Sequence, residues 1–303
     1  MKKIIFLALL LILIAGCIEI PKFTQTKKIS VGRGIIMEFM PNQPPAEIKG
    51  PFLVGLKFTN NNPVEITGTL SLRDVTPYEG FEDITEQVYL EPALVESSED
   101  PQTGESKIKS FSPSIKFEPF DKIEYKNVLP GATTQFIAEF DFDYSSTINT
   151  PICAASFEAR TVTCPAQETI SGSRLGLENQ FAPITASITK KVTSSTPGQA
   201  LLELEITLNN AGEGEIKGNE FLIATVDAVG EGAQLTCNSL NAVSSNGNQF
   251  ELTLEKNQAK INCFADLSFA GDLAVYNAYI TLSYPYRLIA KTGSIKVNPT
   301  QRG

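Results

Sequence analysis

Glu139, Asp141 and Asp143, in the run "AEFDFDY", are the first residues of this chain whose types and spacing point to chemistry. On a strand they share one face, and Phe140, Phe142 and Tyr144 take the other, because successive side chains alternate. Three acids so placed can collect a calcium ion if loop carbonyls complete the shell. More commonly such a row is the wet face of a sheet. Tyr276, Tyr279, Tyr284 and Tyr286 cluster in "VYNAYITLSYPYR". Exposed, these rings would offer area and a hydroxyl to a sugar or a protein partner; buried, they are sandwich core. Cys153, Cys164, Cys237 and Cys263 fall as two local pairs, one in each half of the chain, and a fifth cysteine, Cys17, stands apart. The tight paired spacings of a zinc site are absent, so two disulfides, Cys153 with Cys164 and Cys237 with Cys263, are expected.

The chain has no histidine. That removes the usual general base at neutral pH, the Ser-His-Asp and Cys-His arrangements, and the commonest zinc, copper and iron ligand. No Walker loop, dinucleotide fingerprint or G-x-S-x-G elbow occurs, and no cofactor is expected. Glycan hydrolysis by two carboxylates survives this exclusion, although nothing marks which carboxylates would act. The formal charge of the whole chain is −9. Without residues 1–16, which hold Lys2 and Lys3, 23 basic side chains stand against 34 acidic ones, a net −11. An acidic surface repels nucleic acid, so no such partner is expected.

The N-terminus says where the chain goes. Met1-Lys2-Lys3 is a short basic leader, and Ile4 to Ala15 is an uncharged apolar stretch ending in small residues, the layout of a secretory signal peptide. The stretch is shorter than the roughly 20 apolar residues of a membrane span. Its end, Ile14-Ala15-Gly16-Cys17, resembles the lipobox of prokaryotic surface lipoproteins. That resemblance implies cleavage before Cys17, lipid on its thiol, and anchoring at the outer face of the cell membrane. It also accounts for the odd cysteine, since four remain to pair. Residues 17–34 then read as lipidated cysteine and tether, with Lys22, Lys27, Lys28 and Arg33 placed to meet anionic head groups.

Past the tether, runs of alternating apolar and polar residues are separated by Gly, Pro, Asn and Ser clusters, which predicts an all-β chain of antiparallel strands. In "FELTLEKNQAKINCF", Phe250, Leu252 and Leu254 face one way, and Ala259, Ile261 and Cys263 resume that side after a turn at Lys256 to Gln258. Asn246-Gly247 signals a two-residue type I′ hairpin turn. In a flat three-stranded meander, Cys237 and Cys263 would lie about 9.5 Å apart, beyond the roughly 7 Å reach of a disulfide. The chain is therefore expected to cross between facing sheets there, as in an immunoglobulin-type sandwich. The first bridge demands a reversal near Ser156 to Arg160. Phe81, Ile84 and Val88 in "FEDITEQVYL" have helical spacing and predict a short helical turn.

An internal echo relates the halves. "LKFTNNNPVEITG", ending in Glu65-Ile66-Thr67-Gly68, resembles "LEITLNNAGEGEIKG", ending in Glu215-Ile216-Lys217-Gly218. Strand, Asn-rich turn and return strand resemble the tandem Ig-like modules of bacterial and archaeal surface proteins. Two Ig-like β-sandwich domains are expected, at 35–178 and 179–303, the junction falling in the Gly- and Ser-rich "ISGSRLGLENQFAPI". The functional expectation is a lipid-anchored, extracytoplasmic protein without catalytic activity. It would bind or scaffold an envelope protein, a surface protein or a glycan, with a surface-anchored glycan hydrolase as the alternative. An importer's binding component would alternate strands with helices, and this chain does not.

Overall fold

The computed structural model describes residues 34–298 except 77, 100–105, 112–113, 118–122, 156–163, 197, 230–233 and 269–272. The leader, Cys17 and all of the tether but residue 34 lie outside the described residues, as does the expected reversal at 156–160. The fold is an all-β sandwich built almost wholly from antiparallel strands.

The first half contributes β1 (Ile35–Phe39), β2 (Glu47–Ile48), β3 (Leu56–Asn60), β4 (Ile66–Asp74) and β5 (Ile84–Leu90). A hairpin of β6 (Leu94–Glu99) and β7 (Ser106–Phe111) follows, then β8 (Ser114–Phe117), β9 (Ala132–Thr134) and the long β10 (Phe136–Ala155). After β11 (Gln167–Ser171) come a 3-10 turn (Gly172–Leu175) and a short helix, α1 (Leu177–Phe181). The second half continues with β12 (Ile184–Thr196), β13 (Gln199–Asn210), β14 (Glu215–Ile216), β15 (Leu222–Val229) and β16 (Thr236–Asn238). It closes with β17 (Ala242–Asn246), β18 (Gln249–Leu252), β19 (Gln258–Ser268), the long β20 (Leu273–Lys291) and β21 (Ile295–Val297).

Two layers result. One is an eight-stranded sheet in the order β17-β18-β15-β20-β10-β4-β5, with β14 added beside β20. The other holds two separate sheets, β1-β3-β8 and β11-β12-β13-β19-β16, and both cover the same face of the large one. Phe58 of β3 meets Phe140 of β10 with ring centroids 5.2 Å apart, and the Ile184 amide of β12 donates to the Tyr284 hydroxyl of β20 at 3.0 Å. The reason lies in the alternation of β10. Its even positions from Phe136 to Ala154 are buried, and the odd positions from Asp143 to Pro151 are exposed. A strand with one dry and one wet face can be covered on one side only.

β10 and β20 pair from Ile137 with Lys291 to Ala155 with Leu273, and are therefore the spine of the molecule. β4 flanks β10 over Phe136 to Phe142, and β15 flanks β20 over Asn277 to Ser283. Pro151 and Pro285 fall where those flanking strands have ended, the positions where a missing N–H disrupts least. The smaller sheets repeat one order, β1-β3-β8 and β12-β13-β19, each with the strand before its Asn turn in the middle. The sequence boundary at 178/179 runs through α1, and the halves on either side of it share the spine. The described residues pack as one compact unit.

Several local expectations need correction. Ile84 and Val88 lie on strand β5, paired with Leu72 and Gly68, not on a helix. A spacing of four is also even, so it keeps both on one face of a strand. In the β17–β18 hairpin Asn246 pairs with Gln249, so the turn residues are Gly247 and Asn248, and of these Gly247 has positive φ (63°). The type I′ pattern, positive φ at both positions, is found instead at Lys256 (51°) and Asn257 (65°). Between β16 and β19 the chain does leave for the other layer, since β17 and β18 belong to the eight-stranded sheet. The Cys237–Cys263 bridge nonetheless does not join the layers. It staples neighbouring strands of one sheet, with the two cysteines directly opposite and Cα atoms 4.0 Å apart.

Candidate functional site

The wet face of the eight-stranded sheet carries an ordered row of polar side chains. Strand register aligns Gln87, Thr69, Asp141, Arg287 and Glu215 across β5, β4, β10, β20 and β14. The Gln87 amide donates to Thr69 Oγ1 at 2.7 Å. Arg287 grips Asp141 with both arms of its guanidinium, Nε to Oδ1 at 2.6 Å and Nη2 to Oδ2 at 2.7 Å. Lys217 Nζ adds a contact to Asp141 Oδ2 at 3.2 Å. Glu139 is held by Arg73 at 3.1 Å and by Arg287 at 3.5 Å. The Arg287 hydrogen bonds hold the Asp141 carboxyl below its ordinary pKa against the opposing effect of burial, and Asp141 in turn raises that of Arg287.

This changes the reading of the acid row. Two of the three calcium candidates, Glu139 and Asp141, spend their lone pairs on guanidinium and ammonium groups, leaving little for a metal. No group of three or more metal-ligating side chains occurs among the described residues. Asp143, the third candidate, is exposed and has no hydrogen-bond or ion-pair partner among the described residues.

Around Asp143 the face is indented. One groove of about 270 Å³ is lined by Thr67, Thr69, Gln87, Asp141, Asp143 and Lys217. A second, of about 320 Å³, includes Asp143, Asn219, Phe221, Ile223, Glu251 and Pro285. Asp143 and Pro285, opposite one another in the spine, belong to both. The two sequence echoes meet here. Asn60 Nδ2 donates to the Val64 carbonyl at 2.9 Å, and Asn210 Nδ2 donates to the Gly214 carbonyl at 2.7 Å, the same closure four residues on. Each turn thus carries the chain from a covering sheet into the large sheet, on opposite sides of the spine. Thr67 and Lys217, matching positions of the echoes, then line the first groove. Gly214 is required by this crossing, since a Cβ there would strike the Arg287 backbone and the Tyr286 ring.

The tyrosines lie elsewhere. Tyr276, Tyr284 and Tyr286 sit at even positions of β20 and are buried, so they are core and not a contact surface. Tyr279, at an odd position, is half-buried. At the centre of the spine Tyr144 pairs with Tyr284, ring centroids 5.5 Å apart. The Tyr144 hydroxyl donates to Asn62 Oδ1 at 3.3 Å, and that of Tyr286 to Asn210 Oδ1 at 2.7 Å. Burial raises the pKa of all three phenols, that of Tyr286 to about 12. Each Asn turn is therefore tied to the spine by a buried phenol.

The four paired cysteines form the two expected bridges, Cys153–Cys164 and Cys237–Cys263. Beside the first lies Lys190, whose side chain is fully buried. Its ammonium reaches Cys153 O at 3.0 Å, Cys153 Sγ at 3.3 Å and Glu168 Oε1 at 2.9 Å. Burial raises the Glu168 pKa, but Lys190 and Arg174 outweigh it and leave the carboxyl below its ordinary value.

No family model and no curated protein matches the chain. The site residues that sequence reasoning passed over are Arg287, Lys217, Gln87 and Lys190. The echo held a signal for Lys217, which occupies the position of Thr67. Lys190 also had one, because it interrupts the apolar parity of Ile184, Ala186, Ile188 and Val192. For Arg287 and Gln87 there was none, because only strand register brings them to Asp141 and Thr69.

Proposed function

We propose that this chain is a lipid-anchored protein of the outer face of the cell membrane, with a non-catalytic binding or scaffolding role. The observation that carries the reading is the cysteine pairing. Four of the five cysteines close two bridges with one another, so Cys17, at the end of the apolar leader, has no cysteine of this chain left to pair with. Disulfides persist outside the cytoplasm, which agrees with export. The binding surface in this reading is the wet face around Asp143, where the polar groups are held in place by hydrogen bonds before any partner arrives. An envelope protein or a glycan are the partner classes, and the Ig-like relationship of the halves belongs to the same proposal.

The alternative, a glycan hydrolase, needs a carboxyl kept protonated as general acid. Asp141 is instead pulled towards its ionised form by Arg287. Mass spectrometry of the mature N-terminal peptide tests the proposal. A diacylated or triacylated Cys17 at the new terminus is expected, with release of Cys17→Ser from the membrane fraction. An unmodified Cys17 thiol or an intact Met1 leader would overturn it.

A further inference from the structure

The two bridges differ in their electrostatic surroundings. Cys237–Cys263 is stapled across adjacent strands, its Cys263 fully buried among Leu204, Ile261 and their neighbours in the apolar core. Cys153–Cys164 has a buried ammonium at its sulfur. A lysine has three N–H donors, and those of Lys190 are matched by Glu168, the Cys153 carbonyl and Cys153 Sγ. While the bridge is closed, the third donor meets a weak acceptor. If the bridge opens and Cys153 is left as a thiolate, the same donor meets an anion in a site of low dielectric, where a charge-assisted hydrogen bond is strongest. The ammonium therefore favours the reduced state of this bridge and makes Cys153 the better leaving group.

We propose that Cys153–Cys164 is a thiol–disulfide exchange site, opened by a dithiol donor, with Lys190 as the positioning residue that holds the departing Cys153 thiolate. In the first step a donor thiolate attacks Cys164 Sγ, the bridge breaks, and Cys153 leaves with the electron pair. A mixed disulfide between Cys164 and the donor remains. The donor's second thiol, losing its proton, attacks its own sulfur in that mixed disulfide, and Cys164 is released and takes a proton. Two electrons pass from donor to protein, and the donor ends as a disulfide. Cys164 is almost wholly buried, so the first attack follows a local opening. Among the described residues the Cys237–Cys263 bridge has no such cation hydrogen-bonded to its sulfurs, and it stays closed at the same poise. The inference does not depend on lipid at Cys17.

The test equilibrates the purified, oxidised full chain with graded ratios of reduced to oxidised dithiothreitol, traps free thiols by alkylation and counts them per cysteine by peptide mass spectrometry. Cys153 and Cys164 should open first, with an equilibrium constant at least about tenfold more favourable than that of Cys237–Cys263, about 30 mV for a two-electron couple. Lys190→Gln should erase most of that gap, with Cys237–Cys263 serving as an internal reference. Should Lys190→Gln fail to fold, Glu168→Gln supplies the second arm. It leaves the ammonium without its carboxylate and should favour opening further, whereas a merely structural ion pair predicts no selective change at this bridge. Opening of Cys237–Cys263 first or together with it, or a gap unchanged in the variant that folds, would overturn the proposal.

Discussion

The two covering sheets meet the same spine with different side chains. Over the first half of β10 three strands suffice, and the contact is aromatic: Phe58 of β3 meets Phe140 at a centroid separation of 5.2 Å, and Phe52 and Phe81, from the segments before β3 and β5, meet Phe136 at 5.9 and 5.3 Å. Over the first half of β20 five strands are used, the inner face is aliphatic (Ile188, Leu202, Leu204, Ile206, Ile261), and a disulfide staples its edge. Rings of about 150–250 Å² each can cover a sheet from few positions. Smaller branched chains need more strands for the same burial, and a cross-link offsets the chain entropy of an added edge strand.

The largest loss is expected at the aromatic side. Phe140→Ala removes the ring that Phe58 and Phe142 both touch, and should cost about 3–5 kcal/mol of unfolding free energy, read from urea denaturation of the purified protein. A loss below about 1 kcal/mol would show that the first half does not depend on ring packing. At the aliphatic side the staple should matter next. Replacing Cys237 and Cys263 together by Ser opens a loop with a sequence separation of 26 and should lower stability by about 3.5 kcal/mol on the loop-entropy account, read from the shift in thermal midpoint.

The Asn turns sharpen the contrast. Asn60 is itself buried, donates to the Val64 and Glu91 carbonyls and accepts from Asn62, so Asn60→Ala should cost about 2–3 kcal/mol. Asn210→Ala loses the Gly214 and Tyr286 contacts, yet the Tyr286 hydroxyl keeps the Gly214 amide, and about 1 kcal/mol is expected. Equal losses in paired urea titrations would mean that the echoes do equal structural work.

A comparably small effect is expected at Asp141 on the wet face of the spine. Asp141 has its folded pKa depressed, so its contribution is fully present above the unfolded value near 3.8 and fades as pH falls through the lower folded value. Asp141→Asn should therefore lower stability by about 1 kcal/mol at pH 7, with the difference from the parent shrinking in acid, followed by urea midpoints across pH. A difference that grows towards low pH would contradict the Arg287 pairing.

Much of this could be read without coordinates. The parity of "AEFDFDY" fixes which residues of β10 are dry, and "ELTLEKNQAKINCF" does the same for β18 and β19. Parity cannot show which neighbour a strand takes. Tyr276, Tyr284 and Tyr286 of β20 sit at buried parity and Tyr279 does not, a split the sequence alone left open, and the acids of β10 looked free until Arg287 and Arg73 arrived from other strands. The spacing of Ile84 and Val88 was ambiguous because a step of four satisfies both a helix and a strand.

Local order in the chain thus sets strand content, dry and wet faces and the matching Asn turns, since each depends on neighbours within a few residues, and the cysteine count and spacing set the two pairs, at separations of 11 and 26. The shared spine, the intrasheet placement of the second bridge, the Asp141–Arg287 clasp and the burial of Lys190 against Cys153 came from folding. Each joins residues far apart in sequence, and hydrogen-bonded register has no local signal when the partner strand lies more than 100 residues away, as Asp141 and Arg287 do at a separation of 146.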